Sequence, residues 1–157
     1  MFPVASLGFR DADTLRKVFA GSYRRYTYSI PITTVPALQS IQATTAVESQ
    51  YDFVCNMITA RALHAAGAQI NRAVDFAVNQ MPRLEIVDQS SGASLFDRSD
   101  TLIENAWGTA EDPFELEQPY VFRARTVITT IITNVDLAAA MLIQVAFHGF
   151  KVPAGRI

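Results

Sequence analysis

The residues able to do chemistry in this chain are few and scattered. Its two histidines, His64 and His148, stand 84 positions apart, and neither has a second metal-ligand type at i+2 or i+4. A metal site is built from clustered His, Cys, Asp or Glu, so the pattern predicts none. The single cysteine, Cys55, excludes an internal disulfide framework. It sits in the apolar stretch "YDFVCNMI" and reads as a small buried hydrophobe rather than a reactive thiol. No G-x-S-x-G elbow presents a serine nucleophile, and "SSGAS" falls where a hairpin turn is expected, so a Ser–His–Asp triad would have to be assembled in space. No glycine-rich phosphate loop leads into a helix.

Two further groups carry a chemical reading beside a plainer one. "TAEDPFELE" gathers Glu111, Asp112, Glu115 and Glu117, and paired carboxylates can exchange protons or hold Ca²⁺. With Pro113 and Pro119 alongside, the segment reads as an exposed loop whose acids are solvated. Trp107 beside Gly108 is either a platform for stacking a sugar ring or a plug at the end of a strand. The expectation is a protein that is not an enzyme and carries no cofactor or metal.

Composition points toward partners. Half of the 157 residues are hydrophobic and only 18% are charged, below the usual quarter. A surface this poor in charge suits a protein that hides surface in an assembly. The net charge of −2 and a pI near 5.6 argue against a nucleic-acid partner, which needs a basic stripe. Arg24 and Arg25, between Tyr23 and Tyr26, read as a solvated strand entrance. Asp136, Gln144 and His148 interrupt the most apolar stretch, leaving no run of the roughly 18 residues that cross a bilayer. The N-terminus lacks a long apolar stretch after a basic start, so no signal peptide is expected. The protein is expected to be made in a cytoplasm, with no membrane partner.

The elements that would position these groups fall into two parts. Residues 1–22 form an arm: "MFPV" reads as extended, and "DADTLRKVFAG" as a short helix. Asp11 or Asp13 would cap that helix, Leu15, Val18 and Phe19 line one face, and Gly21 stops it. So short a helix does not persist alone in water and must dock. Residues 23–157 read with period two. Tyr26, Tyr28, Ile30 and Ile32 share a side, with Pro31 marking an edge strand or bulge. "SIQATTAVES" and "DFVCNMITARAL" follow as strands, and the ambiguous "INRAVDFAVNQ" leans the same way. "RLEIVDQSSGASLFD" reads as a hairpin with Gly92 free to take a positive φ. "TLIENAWGT" is a short strand, and the final pair occupies about 121–134 and 140–150. The expected fold is all-β, a β-sandwich or jelly roll of about eight strands preceded by the arm and its short helix.

The last strands pose the sharpest question. Met141, Ile143, Val145 and Phe147 alternate cleanly with other residues, whereas both sides of "VITTIITN" mix isoleucine or valine with hydroxyls. One side packs a core; the other meets either solvent or a partner whose surface satisfies the threonines. Low charge and the apolar arm favour the partner. The expected assembly contacts are Phe2, Val4, Leu7 and Phe9 of the arm, Leu15, Val18 and Phe19 of its helix, and Ile128, Thr130 and Ile132 of the mixed strand.

From Phe53 to Val152, about two-thirds of the chain, the order of features resembles small β-sandwich structural proteins of tailed bacteriophage virions. The shared pattern is an apolar strand, a Gly-x-x-x-x-Pro-Phe loop, a Pro-aromatic strand, a Thr/Ile strand and a closing Phe-x-Gly. Gly108, Pro113, Phe114, Pro119, Phe122, Phe147 and Gly149 carry it here. The resemblance implies a non-enzymatic virion component, either a capsid decoration (cement) protein or a part of the neck or tail. Its partners would be the major capsid protein or neck and tail subunits, together with further copies of itself. It carries over no catalytic residue and does not cover residues 1–22. The alternative is a glycan-binding or receptor-binding module with Trp107 at its platform.

Overall fold

The computed structural model describes residues 24–31, 33–64, 69–70, 82–95, 101–102 and 113–156, with positions 63, 64, 69, 70, 101, 102, 117 and 118 defined by backbone alone. Eleven strands and no helix occur among the described residues. They are β1 (Arg24–Ser29), β2 (Thr33–Val35), β3 (Ser40–Ala46), β4 (Tyr51–His64), β5 (Gln69–Ile70), β6 (Arg83–Asp88), β7 (Ala93–Ser94), β8 (Thr101–Leu102), β9 (Phe114–Phe122), β10 (Val127–Thr133) and β11 (Met141–Pro153). The expected arm and helix at 1–22 lie outside the described residues, as does most of "INRAVDFAVNQ" and of "TLIENAWGT".

The strands form two antiparallel sheets. In the first, β11 pairs β4 along its whole length, β1 and β2 share the far side of β11, and β9 and β5 share the far side of β4. In the second, the order is β3-β10-β6-β7, with β8 also on β6. The break between β1 and β2 falls at Pro31. Ile30 still donates to the Val145 carbonyl at 2.9 Å, but proline has no N–H to continue the ladder.

The inward faces of both sheets contribute to one hydrophobic cluster. Tyr28, Ile30, Val35, Phe53, Cys55, Ile58, Phe122, Met141, Ile143, Val145 and Phe147 come from the first sheet or the segments joining it, and Leu84, Ile86, Ile128 and Ile132 from the second. Aromatic rings link much of it: Tyr26, Tyr28, Phe53, Phe122 and Phe147 follow one another with centroids 4.7 to 6.3 Å apart. Phe150, Val54 and Val152 are buried too, but alternation puts them on the opposite side of the first sheet.

The clean alternation of β11 does what it promised, since Met141, Ile143, Val145 and Phe147 are all fully buried. β4 keeps pace with it only by a bulge. Met57 faces His148 and Cys55 faces Gly149, so Asn56 is an extra residue. That one insertion lets Ile58 on one side of it, and Cys55 and Phe53 on the other, all point inward. Gly149 sits where the two backbones close most tightly. A Cβ there would lie 1.9 Å from the Val54 carbonyl oxygen.

The segment "AEDPFELEQPY", expected as an exposed loop, is mostly strand. Phe114 and Glu115 pair with Ile58 and Met57, while Tyr120, Val121 and Phe122 pair with Cys55, Val54 and Phe53. Residues 116–119 therefore stand opposite Asn56 alone, and Pro119 lies in that bulge, where no ladder donor is required. Aromatics at the two ends of the segment outweigh the prolines and acids between them.

Two substitutions test this packing. Gly149→Ala should destabilise the protein by about 3 kcal/mol, the upper end for overpacking a filled site, measured by urea unfolding. Thr130 is fully buried and its hydroxyl has no partner among the described residues. Thr130→Val should therefore raise stability by roughly 1 kcal/mol, because a methyl of similar shape carries no desolvated polar atom.

Candidate interaction surfaces

The chemical groups do not converge. Cys55 is fully buried and its thiol is pushed up to about 12 by that burial, against a weak hydrogen bond to the Met57 carbonyl. At neutral pH it is a thiol packed in the core. His148 projects from the outer side of the first sheet, its Nδ1 3.1 Å from the Thr27 hydroxyl and its Nε2 2.8 Å from that of Thr59. Burial lowers its pKa, which favours the neutral ring. His64 pairs with Met141 at the other end of the β4–β11 ladder. Seven positions along a strand separate the two histidines, roughly 23 Å, so they form no common site. Glu115 is exposed on β9; Glu111, Asp112, Trp107 and Gly108 lie outside the described residues. No group of three metal-ligating side chains occurs among the described residues.

The buried polar groups gather instead at the turns, which form two unlike ends. At one end Asp88, closing β6, accepts hydrogen bonds from the Thr126 hydroxyl, from the backbone N–H and hydroxyl of Ser90 at 2.9 and 2.8 Å, and from Tyr120 at 3.0 Å. Burial pushes the carboxyl up, and the four donated bonds outweigh it, holding its pKa below the ordinary value. A carboxylate so engaged, with three donors on Oδ1 and Tyr120 on Oδ2, is a tie between β6, β9 and the turn leading into β10. Gly92, at φ 68°, completes the turn with its N–H on the Asp88 carbonyl at 2.8 Å. A shallow depression of about 320 Å³ lies beside it, lined by Gln89, Ser90, Ala124, Arg125, Thr126 and Val127.

Asp52 does similar work at the same end. It accepts from the Ala124 N–H at 2.8 Å, from Arg123 at 3.4 Å and from the Gly155 N–H at 3.3 Å, bracing the β9–β10 turn and the last turn of the chain. Lys151 is nearly buried nearby, its ammonium 3.1 Å from the Tyr26 ring centroid and bonded to Glu48. Burial works against this charge, but the Glu48 carboxylate, with Tyr28 and Tyr26, more than restores it and raises the pKa.

The opposite end holds the β2–β3 and β10–β11 turns, which carry no exposed charge of their own. Asn134 is fully buried; its amide donates to the carbonyls of Val35 at 3.0 Å and Ala139 at 2.9 Å, and its side-chain oxygen accepts from the Asp136 N–H. Asp136, also buried, accepts from the N–H groups of Ala138 and Ala139. The two turns are joined through the Leu38 N–H and the Asp136 carbonyl at 3.2 Å. On this frame Leu38 and Leu137 stand out, 62% and 76% exposed.

The sequence-predicted assembly residues divide between core and undescribed segment. Ile128, Thr130 and Ile132 are fully buried on the inward face of β10, within the chain's own core. The outward side carries Val127, Thr129, Ile131 and Thr133, half-buried except Thr129, whose hydroxyl accepts from Gln89 at 3.0 Å. Thr133 meets the Ser40 hydroxyl across the strand at 2.7 Å. Phe2, Val4, Leu7, Phe9, Leu15, Val18 and Phe19 lie outside the described residues. Sequence reasoning passed over Asp88, Asn134 and Asp136. The signal for each was local: an Asx residue just before a Ser, Gly or Ala turn, where its side chain can satisfy the turn's N–H groups.

No protein-family model matches the sequence, and no curated protein matches it significantly.

Because the Asp88 carboxyl is depressed in the folded protein, its contribution is fully present above the ordinary carboxylate range and is lost as pH falls through the folded value. Asp88→Asn should cost roughly 1–3 kcal/mol at neutral pH. Urea midpoints of wild type and variant should then converge in acid.

Proposed function

We propose that this protein is a non-enzymatic structural subunit of a tailed-bacteriophage virion, a capsid decoration (cement) protein or a component of the neck or tail. It is made in the host cytoplasm and works by binding copies of itself and capsid or tail subunits. The observation that carries this reading is the strand order. β1 and β2, β11, β4 and β9 lie side by side in one sheet, and β3, β10, β6 and the β7–β8 segment in the other. Successive strands change sheet at β2–β3, β3–β4, β5–β6, β8–β9, β9–β10 and β10–β11. That order supports reading the two sheets as a β-sandwich of jelly-roll type, an architecture that recurs in viral capsid domains. The resemblance between Phe53 and Val152 supports the same class.

Jelly rolls also serve as lectin domains, which keeps a glycan-binding or receptor-binding module as the second reading. Among the described residues the half-exposed aromatic best placed for a sugar is Tyr26, and the Lys151 ammonium already lies over its ring. The low charge and the apolar arm at 1–22 favour assembly over glycan capture.

The arm supplies the test. Its apolar side chains, at roughly 1.5–3 kcal/mol each when fully buried, add contact area without enlarging the domain. Deleting residues 1–22 should leave a folded all-β domain by circular dichroism that no longer joins particles during infection, scored by labelling purified virions in negative stain. Unfolding of the truncated chain would assign the arm to its own core. A full-length protein missing from virions but retained on a glycan array would establish the second reading.

A further inference from the structure

We infer that the outer face of the first sheet, around Val54, Phe150 and Val152, is a docking floor for residues 1–22 of the same chain. The inference goes beyond the assembly reading and does not depend on it.

Val54 and Val152 are fully buried and Phe150 is 4% exposed, yet none of the three belongs to the hydrophobic cluster between the sheets. Phe150 pairs with Val54, and the row continues to Arg25 of β1 on one side and Val121 of β9 on the other. Alternation turns this row away from the second sheet. An uncovered sheet face is wetted, and three large apolar side chains on it would stay partly open. The described groups nearby do not seal them. The Arg25 guanidinium lies 5.9 Å from the Phe150 ring centroid, but Arg25 is itself exposed. The last turn of the chain is tied by the Gly155 N–H to Asp52, which pairs with Val152, one row beyond Phe150. The burial arises within a single chain, so the cover is another part of that chain.

The strand ends select which part. Residues 65–68 and 71–81 are anchored at His64, Ile70 and Arg83. Ile70 pairs with Ala62, roughly 25 Å along β4 from Val54. Residues 96–100 join β7 to β8, both on the second sheet. Residues 103–112 begin after Leu102, opposite Arg83, and end before Phe114, opposite Ile58, at the far end of β9 from Val121. Residues 1–22 are attached beside the floor itself. β1 begins at Arg24, opposite Lys151, the residue between Phe150 and Val152. Their chemistry fits as well, since Phe2, Val4, Phe9, Leu15, Val18 and Phe19 supply apolar cover for an apolar floor. A helix as short as the one expected over "DADTLRKVFAG" needs a surface on which to persist. An arm seated here lies outside the core, so the sandwich does not need it to fold. Every copy carries the same floor, and neighbours can exchange arms without losing a contact.

Limited trypsin digestion of the full chain, read by mass spectrometry, tests this together with dye binding. Cutting at Arg10, Arg16 and Lys17 follows the population of undocked arm, so it should be about tenfold faster in Phe150→Ser than in wild type. Val121→Lys puts a charge on the same face at a half-buried position and should act alike, should Phe150→Ser lose its strand signal in circular dichroism. Conversely, Leu15→Ser, Val18→Ser and Phe19→Ser together should bare the floor and raise anilinonaphthalene sulfonate fluorescence, which reports exposed apolar surface. Adding Phe150→Ser or Val121→Lys to that triple variant should remove much of the gain. Wild type cut at the three sites as fast as the floor variants would overturn the docking. A triple variant that binds no more dye than wild type would overturn it too, assigning the cover to another segment such as 103–112.

Discussion

The close approach of β11 to β4 at Gly149 is the constraint on which the rest of the fold depends. A side chain at that position would run into the Val54 carbonyl, so only glycine lets the ladder continue past it. Beside it, Asn56 is squeezed out as a bulge and the inward parity of β4 changes. Without that change either Ile58 or the pair Phe53 and Cys55 would face away from the core. The same bulge is answered on β4's other side, where residues 116–119 loop out opposite Asn56 and β9 resumes with Tyr120 and Phe122 in register. One missing Cβ thus sets the alignment of three strands.

Closing the ends of the two sheets falls to carboxylates and amides, and the ends are closed differently. Asp52 and Asp88 gather the turns at one end, among Arg123, Arg125, Glu48 and Lys151, whereas Asn134 and Asp136 gather the turns at the other, among alanines and leucines. Each of these side chains is buried and bonded to backbone, hydroxyl or guanidinium groups, the condition under which a buried polar group fixes geometry instead of costing stability. The result, among the described residues, is a set of turns braced by ion pairs and carboxylates at one end and by an amide and a carboxylate among small apolar residues at the other.

Much of this was legible along the chain, wherever one residue pattern meant one structure. The strict alternation of β11 predicts its inward face, and "QSSG" after Asp88 predicts the turn that Gly92 closes. Pro31, expected to mark an edge strand or a bulge, falls between β1 and β2, which pair only β11 among the described residues. β10 resisted because its side chains are ambiguous. Threonine serves in a core or on a surface, and Thr130 lies in the core while Thr129 and Thr133 lie outside it. β9 was misread because prolines and acids dominate its middle, whereas its pairing is decided by the aromatics at its ends. The joined leucine turns were invisible for another reason. Their contact runs between residues 38 and 136, and neither segment announces the other.

The position of β3 has a consequence for how the chain must be handled in a crowded cell. Its seven residues, "SIQATTA", contain no proline, glycine or charge, and β10 is its one strand neighbour among the described residues. Exposed N–H and C=O groups along such an edge can template a foreign strand, and proteins usually blunt them with lysine or proline. Here the outward positions hold serine, glutamine, threonine and alanine, which lower stickiness without adding repulsion. Resistance to aggregation must then come from covering that edge or from keeping the free chain dilute.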